Sequence, residues 1–137
     1  QVPFVKLKPY IIYYIIYNMK NVIIKKSTNP QKKLMATFYE NNTKIKTIHF
    51  GAAGMSDFTK HKDIFRKQRY LNRHKNNENW NNPMTAGALS RWILWNKPSL
   101  KASIDDYKKR FKFNKKNLRT KKNSRKVRRS RSRRRKN

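Results

Sequence analysis

Positive charge is the feature that most constrains this chain, because 37 of its 137 residues are Lys or Arg and only 6 are Asp or Glu. A compact chain with a formal net charge of +31 repels itself unless a polyanion screens it. The polyanion that such a composition indicates is nucleic acid.

The charge divides the chain into three segments. Residues 112–137 hold 15 basic and no acidic residues, residues 1–18 hold 2 basic residues, and residues 19–111 hold 20 basic against 6 acidic residues. Only the middle segment has the aliphatic and aromatic content for a core, and its size allows one small domain. We therefore predict a small basic domain at 19–111 and a disordered Arg/Lys-rich tail at 112–137.

The first 18 residues, QVPFVKLKPYIIYYIIYN, are rich in Ile and Tyr and are followed by Met19. A transmembrane helix needs about 20 apolar residues, and the apolar run at 10–17 is too short. A signal peptide would need a small-residue cleavage site, which this stretch does not offer. We predict either a non-native upstream extension, with Met19 as the true start, or an edge strand, and no membrane association.

The residues that would support catalysis do not form a recognisable set. The chain has no cysteine, which excludes disulfides, thiolate nucleophiles and Cys-ligated zinc. His61 and His74 are 13 residues apart, too far to hold one ion from a continuous helix, and His49 supplies no second ligand pair. We therefore predict no enzymatic activity, no metal, no cofactor and no small-molecule substrate.

Apolar alternation predicts the fold of the first half of the domain. NVIIKK is a candidate first strand, and KLMATFYENNTKIKTIHF is a candidate hairpin that turns at Asn41-Asn42. Within it Leu34, Ala36 and Phe38 share one face, as a strand buried on one side requires.

The second half reads as helices. Ser56 or Asp57 can cap a helix that runs to about residue 75, Thr85 can cap a second helix, and Ser99 can cap a third. The predicted fold class is therefore α+β, a β-hairpin or three-stranded meander packed on two or three short helices. The first helix is expected to bury a thin apolar stripe, which consists of His61, Ile64, Phe65, Gln68 and Leu71.

A basic row is expected on another side of the same helix, where it would contact phosphates or simply face solvent. Its members are spaced 4, 3 and 4 residues apart, and Asp63 is the only acid inside the helix, so the usual i,i+4 partners are missing. We therefore predict phosphate contact for Lys62, Arg66, Arg69 and Arg73.

Two further features are candidate sites. Gly51 and Gly54 in GAAG form a possible phosphate-binding turn, although glycine is also what a strand-to-helix turn needs for positive φ. Trp92 and Trp95 cannot both point to the core from one short helix, so Trp95 is a possible contact for a partner or a nucleobase.

The C-terminal tail combines arginine with serine in SRKVRRSRSRRRKN. Arginine suits phosphate because its planar fork binds two oxygens at once. The tail is predicted to bind nucleic acid through counterion release, and a nuclear-localisation signal is a compatible alternative. The predicted contacts are Arg125, Arg128, Arg129, Arg131, Arg133, Arg134 and Arg135.

A set of short motifs runs through the middle segment: Gly51 and Gly54, Ser56-Asp57, Thr59-x-His61-Lys62-Asp63, Arg73-His74, Glu78-Asn79-Trp80, Thr85-Ala86-Gly87 and Leu94-Trp95-Asn96-Lys97-Pro98. In these motifs the chain resembles a short uncharacterised basic domain of nucleocytoplasmic large DNA viruses, over roughly residues 22 to 111, with departures at Ala53 and Ala88. The resemblance implies a viral setting, in the virion, a cytoplasmic virus factory or the nucleus, and it implies no known activity.

Together these features predict a viral protein that binds nucleic acid without sequence preference, DNA rather than RNA, in association with the genome or its packaging. The sequence shows no base-reading motif of known geometry. The alternative is a structural virion protein whose domain binds another, acidic viral protein while the tail contacts DNA.

Overall fold

A computed structural model describes residues 8–10 and 20–114. The expectations for the first 18 residues, apart from 8–10, and for the arginines of the tail lie outside the described residues. Within 20–114 a three-stranded sheet is followed by short helices, which confirms the α+β class.

The strands are β1 (Lys20–Lys26), β2 (Lys32–Glu40) and β3 (Thr43–Ala52), all antiparallel in the order β1-β2-β3. The predicted meander is therefore confirmed, and so is the turn at Asn41-Asn42. Both asparagines have positive φ, 52° and 63°, which is the backbone that a two-residue hairpin turn requires and that Asn tolerates.

One face of the sheet carries the core, as the alternation in β2 predicts. Val22, Ala36, Phe38 and Phe50 are buried there. The register pairs Val22 with Phe38 and Leu34 with Phe50, so the buried side chains of adjacent strands lie next to one another.

Two short helices follow β3 where the sequence predicts one long helix. Helix α1 (Phe58–His61) ends at Lys62, which adopts the left-handed conformation with φ 55°, and α2 (Ile64–His74) begins after Asp63. The expected continuous helix is wrong because Asp63 acts as a second N-cap: its Oδ1 accepts from the backbone N–H groups of Phe65 and Arg66 at 2.9 and 3.3 Å.

The remaining helices begin at the predicted caps. Helix α3 (Ala86–Leu89) starts after Thr85 and continues as a π-helical turn (Ser90–Leu94), and α4 (Leu100–Arg110) starts after Ser99. The wider turn places Ile93 and Leu94 in the core beside Leu89.

The C-terminal part of the fold extends past the predicted domain boundary. Phe113 is buried, its ring lies 5.8 Å from Phe38 and 5.5 Å from Tyr107, and the N–H of Asn114 donates to the carbonyl of Lys20 at 2.9 Å. The folded part therefore reaches at least residue 114, three residues beyond the expected end.

A matched pair of substitutions tests the assignment of the core. Ile93→Val is expected to lower the free energy of unfolding by about 0.5–1.5 kcal/mol, because Ile93 is fully buried under the sheet. Ile64→Val makes the same chemical change at a side chain that is 66% exposed, so its effect should stay within about 0.5 kcal/mol. Urea denaturation followed by circular dichroism measures both, and equal losses would contradict the described packing.

Candidate nucleic-acid interface

The basic residues of α2 lie together on its exposed side. Arg66, Arg69 and Arg73 are all exposed, and their spacing of three and four residues places them on one helical face. Lys62 is also exposed, but it belongs to the junction before α2 and not to the same helix. The structure therefore brings together three residues of the predicted row and sets the fourth at its beginning.

The positive charge of this face is not cancelled within the described part of the chain. The ion pairs found among residues 20–114 are Lys33–Asp57, His74–Glu78 and Arg110–Asp106, and none includes Arg66, Arg69 or Arg73. We call these three arginines with Lys62 the basic face. An anion at this surface would meet guanidinium groups that are not already engaged by a carboxylate.

Asp63 is the acid closest in sequence to the basic face. Its pKa is lowered, first by the hydrogen bond from the Arg66 backbone N–H and also by that from Phe65 and by the charge of Arg69. The carboxylate is thus committed to capping the helix, where negative charge is favourable.

An aromatic stack decides which side of α2 faces inward. The rings of Tyr70 and Trp95 are parallel within 3° and 4.2 Å apart, and the ring of His74 lies 4.3 Å from that of Tyr70. Burial raises the pKa of Tyr70 to about 12.

The predicted apolar stripe is therefore wrong. The inward side of α2 consists of Lys67, Tyr70, Leu71 and His74, whereas Ile64, Phe65 and Gln68 are exposed. Inward residues with a polar tip took the place of the apolar ones, because their partner on the π-helical segment is an aromatic ring and not an aliphatic pocket.

Lys67 shows the same effect. Its ammonium donates to the carbonyl of Asn96 at 2.7 Å and lies 4.9 Å from the centre of the Phe58 ring. Burial lowers its pKa, and the neighbouring charges of Arg91 and Lys97 act in the same direction. This cation serves the packing of α2 and is not available as part of the basic face.

Trp95 is half-buried, with one ring face covered by Tyr70 and His61 nearby at 5.3 Å. Trp92 is also half-buried, and its indole N–H donates to the carbonyl of Trp80 at 2.8 Å. Both tryptophans pack against the core cluster. The role of Trp95 in contacting a partner stays a prediction, and its stack with Tyr70 gives it a structural role as well.

Gly51 and Gly54 both have positive φ, 77° and 80°. A Cβ at Gly51 would lie 2.7 Å from the Cδ1 atom of Leu94, so glycine also permits the close approach of the sheet and the π-helical turn. The helix that follows has only four residues and therefore a small dipole, and its Thr59 amide is already bound by Asp57. Backbone geometry explains these glycines, and the phosphate turn stays a prediction.

A buried ion pair joins the sheet to the helices. Asp57 is 1% exposed, and its Oδ2 atom accepts from the Lys33 Nζ atom at 2.6 Å. Its other oxygen accepts from the backbone N–H and the hydroxyl of Thr59. Burial opposes ionisation of this carboxyl, but the hydrogen bonds from Lys33 and Thr59 and the charge of Lys33 outweigh it and lower its pKa.

A cleft of about 410 Å³ lies between the end of the sheet and the helices, and its wall includes Asp57 and Glu78. The Glu78 carboxylate is bound by the His74 ring at 2.8 Å and by the Trp80 indole N–H at 2.9 Å. A Cβ at Gly87 would lie 2.8 Å from Glu78, which accounts for the small residue there. Both carboxylates of the cleft are thus engaged by donors of the protein.

The histidines of the described region are separated. His49 bonds to Ser27 at 2.7 Å, His61 accepts from the Asp63 N–H at 2.9 Å, and His74 bonds to Glu78. Among the described residues no group of three or more His, Asp or Glu side chains is placed to hold a metal ion. Over the same residues, no helix has the length and apolar character needed to cross a bilayer.

The fold and surface define a small α+β domain with an arginine-bearing helical face. Residues 22–74, which include the sheet, α1 and α2, match the model of a family of unknown function (DUF5754). No curated protein and no solved structure matches the chain. The matched segment is therefore similar to an uncharacterised domain, and it contains the whole basic face.

The lowered pKa of Asp57 predicts a pH-dependent contribution to stability. Asp57→Asn is expected to reduce the free energy of unfolding at pH 7 by about 1–3 kcal/mol, because the nearly buried Lys33 ammonium loses its charged partner. An unperturbed Asp titrates near pH 3.9, so this stabilisation is present above about pH 4 and is lost as the pH falls through the lower pKa of the folded state. Urea denaturation at several pH values should show the deficit narrowing below pH 4.

The matched control is Asp105→Asn, since Asp105 is an exposed carboxylate of α4. That variant should have nearly the stability of the parent protein throughout the pH range. A deficit for Asp57→Asn that remains constant from pH 7 to pH 3 would contradict the contribution assigned to its charge.

Proposed function

We propose that this protein binds nucleic acid without sequence preference, DNA rather than RNA, through the basic face of α2 together with the Arg-rich tail. The observation that carries the proposal is the exposure of Arg66, Arg69 and Arg73 on one helical face with no carboxylate partner among the described residues. In this proposal the protein is a binding protein and not an enzyme, and it uses no cofactor.

Phosphate contact follows from the chemistry of this face. A guanidinium presents several N–H donors in a planar fork that matches two phosphate oxygens, and each phosphate neutralised releases condensed counterions. Residues that bind phosphate carry no sequence information, so the expected binding is non-specific. The tail adds 15 basic residues without an acid and extends the same electrostatic mechanism.

The proposed setting is a large DNA virus, with the protein associated with the genome in the virion, in a cytoplasmic virus factory or in the nucleus. The support is the resemblance in the motifs around Asp57, Asp63 and Trp95. A protein with a formal charge of +31 would neutralise an equal charge of packaged DNA, which suits a role in genome condensation.

An alternative function is favoured by the exposed side chains of Ile64 and Phe65, which border the basic face. In that alternative the domain binds an acidic viral structural protein, with the apolar pair packed in the interface, and the tail alone contacts DNA. Apolar residues surrounded by a charged rim are common in such interfaces.

Removal of the three arginines tests the first proposal. Arg66→Ala/Arg69→Ala/Arg73→Ala should weaken binding of a labelled DNA duplex and lower the slope of log affinity against log salt by up to about 3, because each displaced phosphate contact contributes about 0.9. Fluorescence anisotropy at several salt concentrations measures both quantities.

The matched control removes three exposed lysines from the strands, as Lys25→Ala/Lys44→Ala/Lys46→Ala. It lowers the net charge equally, so a smaller change in slope is expected. If the two triple variants bind alike, the effect belongs to net charge and the basic face is not a specific contact surface.

A chain that ends at Asn114 separates the two proposals. It retains Phe113, which a shorter chain would remove from the core. The first proposal expects this chain to keep measurable DNA affinity and a salt slope that the arginine substitutions reduce. The alternative expects its DNA binding to vanish while the full chain still binds.

A further inference from the structure

Phe65 is a large aromatic side chain in an unusual position. It lies in the first turn of α2, is 73% exposed, and is followed on the chain by Arg66. The stack of Tyr70 on Trp95 holds the opposite side of the helix inward, so Phe65 is directed to solvent by the packing of its own helix. Among the described residues its ring is paired with no other aromatic ring.

The surroundings of Phe65 are cationic. Lys62 precedes it at the junction, Arg66 is adjacent, and Arg69 lies one turn further along the helix, all of them exposed. Steps of four residues place Phe65, Arg69 and Arg73 in one row, which spans about 12 Å at 1.5 Å per residue. The ring is therefore one end of a row whose other members are guanidinium groups.

The other border of the row is polar and uncharged. The amide of Gln68 donates to the side-chain oxygen of Asn72 at 3.2 Å, and both residues are exposed. The one nearby acid, Asp63, is bound to the backbone amides of Phe65 and Arg66. An anionic chain laid along the row would therefore meet cations on one side and neutral amides on the other.

We propose that the exposed side of α2 binds single-stranded nucleic acid, with an unpaired base stacked on Phe65 and the adjoining phosphates bound by Lys62, Arg66 and Arg69. This inference rests on the proposed function and specifies its substrate. In a duplex the faces of the bases are covered by their neighbours, so an exposed ring adds nothing to backbone binding. In a single strand every base has a free face that an aromatic side chain can cover.

The charge favours this occupant over a protein. A protein partner that covered Phe65 would also have to supply carboxylates for three cations within two helical turns, whereas a nucleic acid strand carries one anion per nucleotide beside each base. The alternation of base and phosphate along a strand corresponds to the alternation of ring and guanidinium along the row.

The test compares three labelled DNA ligands with the full chain: a 20-nucleotide oligo(dT), the matching dT·dA duplex, and a strand of equal length in which abasic sites replace the bases. Phe65→Ala is expected to weaken oligo(dT) binding about 5-fold or more, because loss of base stacking has effects of this size. It should change the affinity for the duplex and for the abasic strand less than 2-fold.

Two further variants separate stacking from apolar contact. Phe65→Leu keeps an apolar side chain without an aromatic face and should resemble Phe65→Ala, whereas Phe65→Trp should bind oligo(dT) at least as tightly as the parent protein. Because the side chain is exposed, all three variants should unfold in urea at nearly the parent concentration, which verifies that they are folded.

Each outcome has a distinct meaning. Equal loss of all three ligands, or no loss of any, overturns stacking on Phe65, and the proposed function still stands if Arg66→Ala/Arg69→Ala weakens duplex and single strand together. If those arginine substitutions weaken neither, the proposed function fails independently of Phe65. If Phe65→Leu binds oligo(dT) as the parent does, the contact is apolar and a protein partner becomes the better explanation of this residue.

Discussion

The parallel stack of Tyr70 on Trp95 is the contact on which the surface of this protein depends, because it fixes the rotation of α2 about its own axis. A helix of 11 residues with seven charged or polar side chains between Arg66 and His74 has no strong apolar face of its own to decide that rotation. With Tyr70 turned inward, Arg66, Arg69 and Arg73 have to face outward. A change at Trp95 would therefore alter the basic face from a distance.

The acids of the described region serve the fold, while many of its cations remain at the surface. Asp57 is bound to Lys33, Asp63 caps α2, Glu78 joins His74 to Trp80, and Asp106 bonds to Asn96 and Arg110. Because few acids are present and these four have internal partners, little is left to neutralise the exposed basic residues. The excess charge is thus an arrangement in space as well as a composition.

Much of the fold could be predicted from local chemistry. Alternation in β2, the Asn41-Asn42 turn and the caps Asp57, Thr85 and Ser99 each depend on a few neighbouring residues, and the structure has all of them as expected. Such features are decided by backbone preference and by hydrogen bonds that close within three residues.

The errors arose where a distant partner decides. The basic spacing from Lys62 to Arg73 fits one continuous helix, and only the use of Asp63 as a cap divides it. Phe65 was expected in the core because it is apolar, yet Trp95 selects Tyr70 instead. Phe113 was expected in the tail because its neighbours are polar, but its burial depends on Phe38 and Tyr107, which no local pattern reveals.

The burial of Phe113 has a consequence for how the two basic parts of the chain would work together. The Arg-rich segment begins directly after a residue anchored on the sheet, with Asn114 bonded to Lys20. A polyanion captured by that segment would be tethered to the domain through very few residues, which converts a second encounter into an intramolecular one at high effective concentration. Weak individual contacts on the helix would then suffice for tight overall attachment, and moving the anchor away from the arginines would loosen it without removing a single charge.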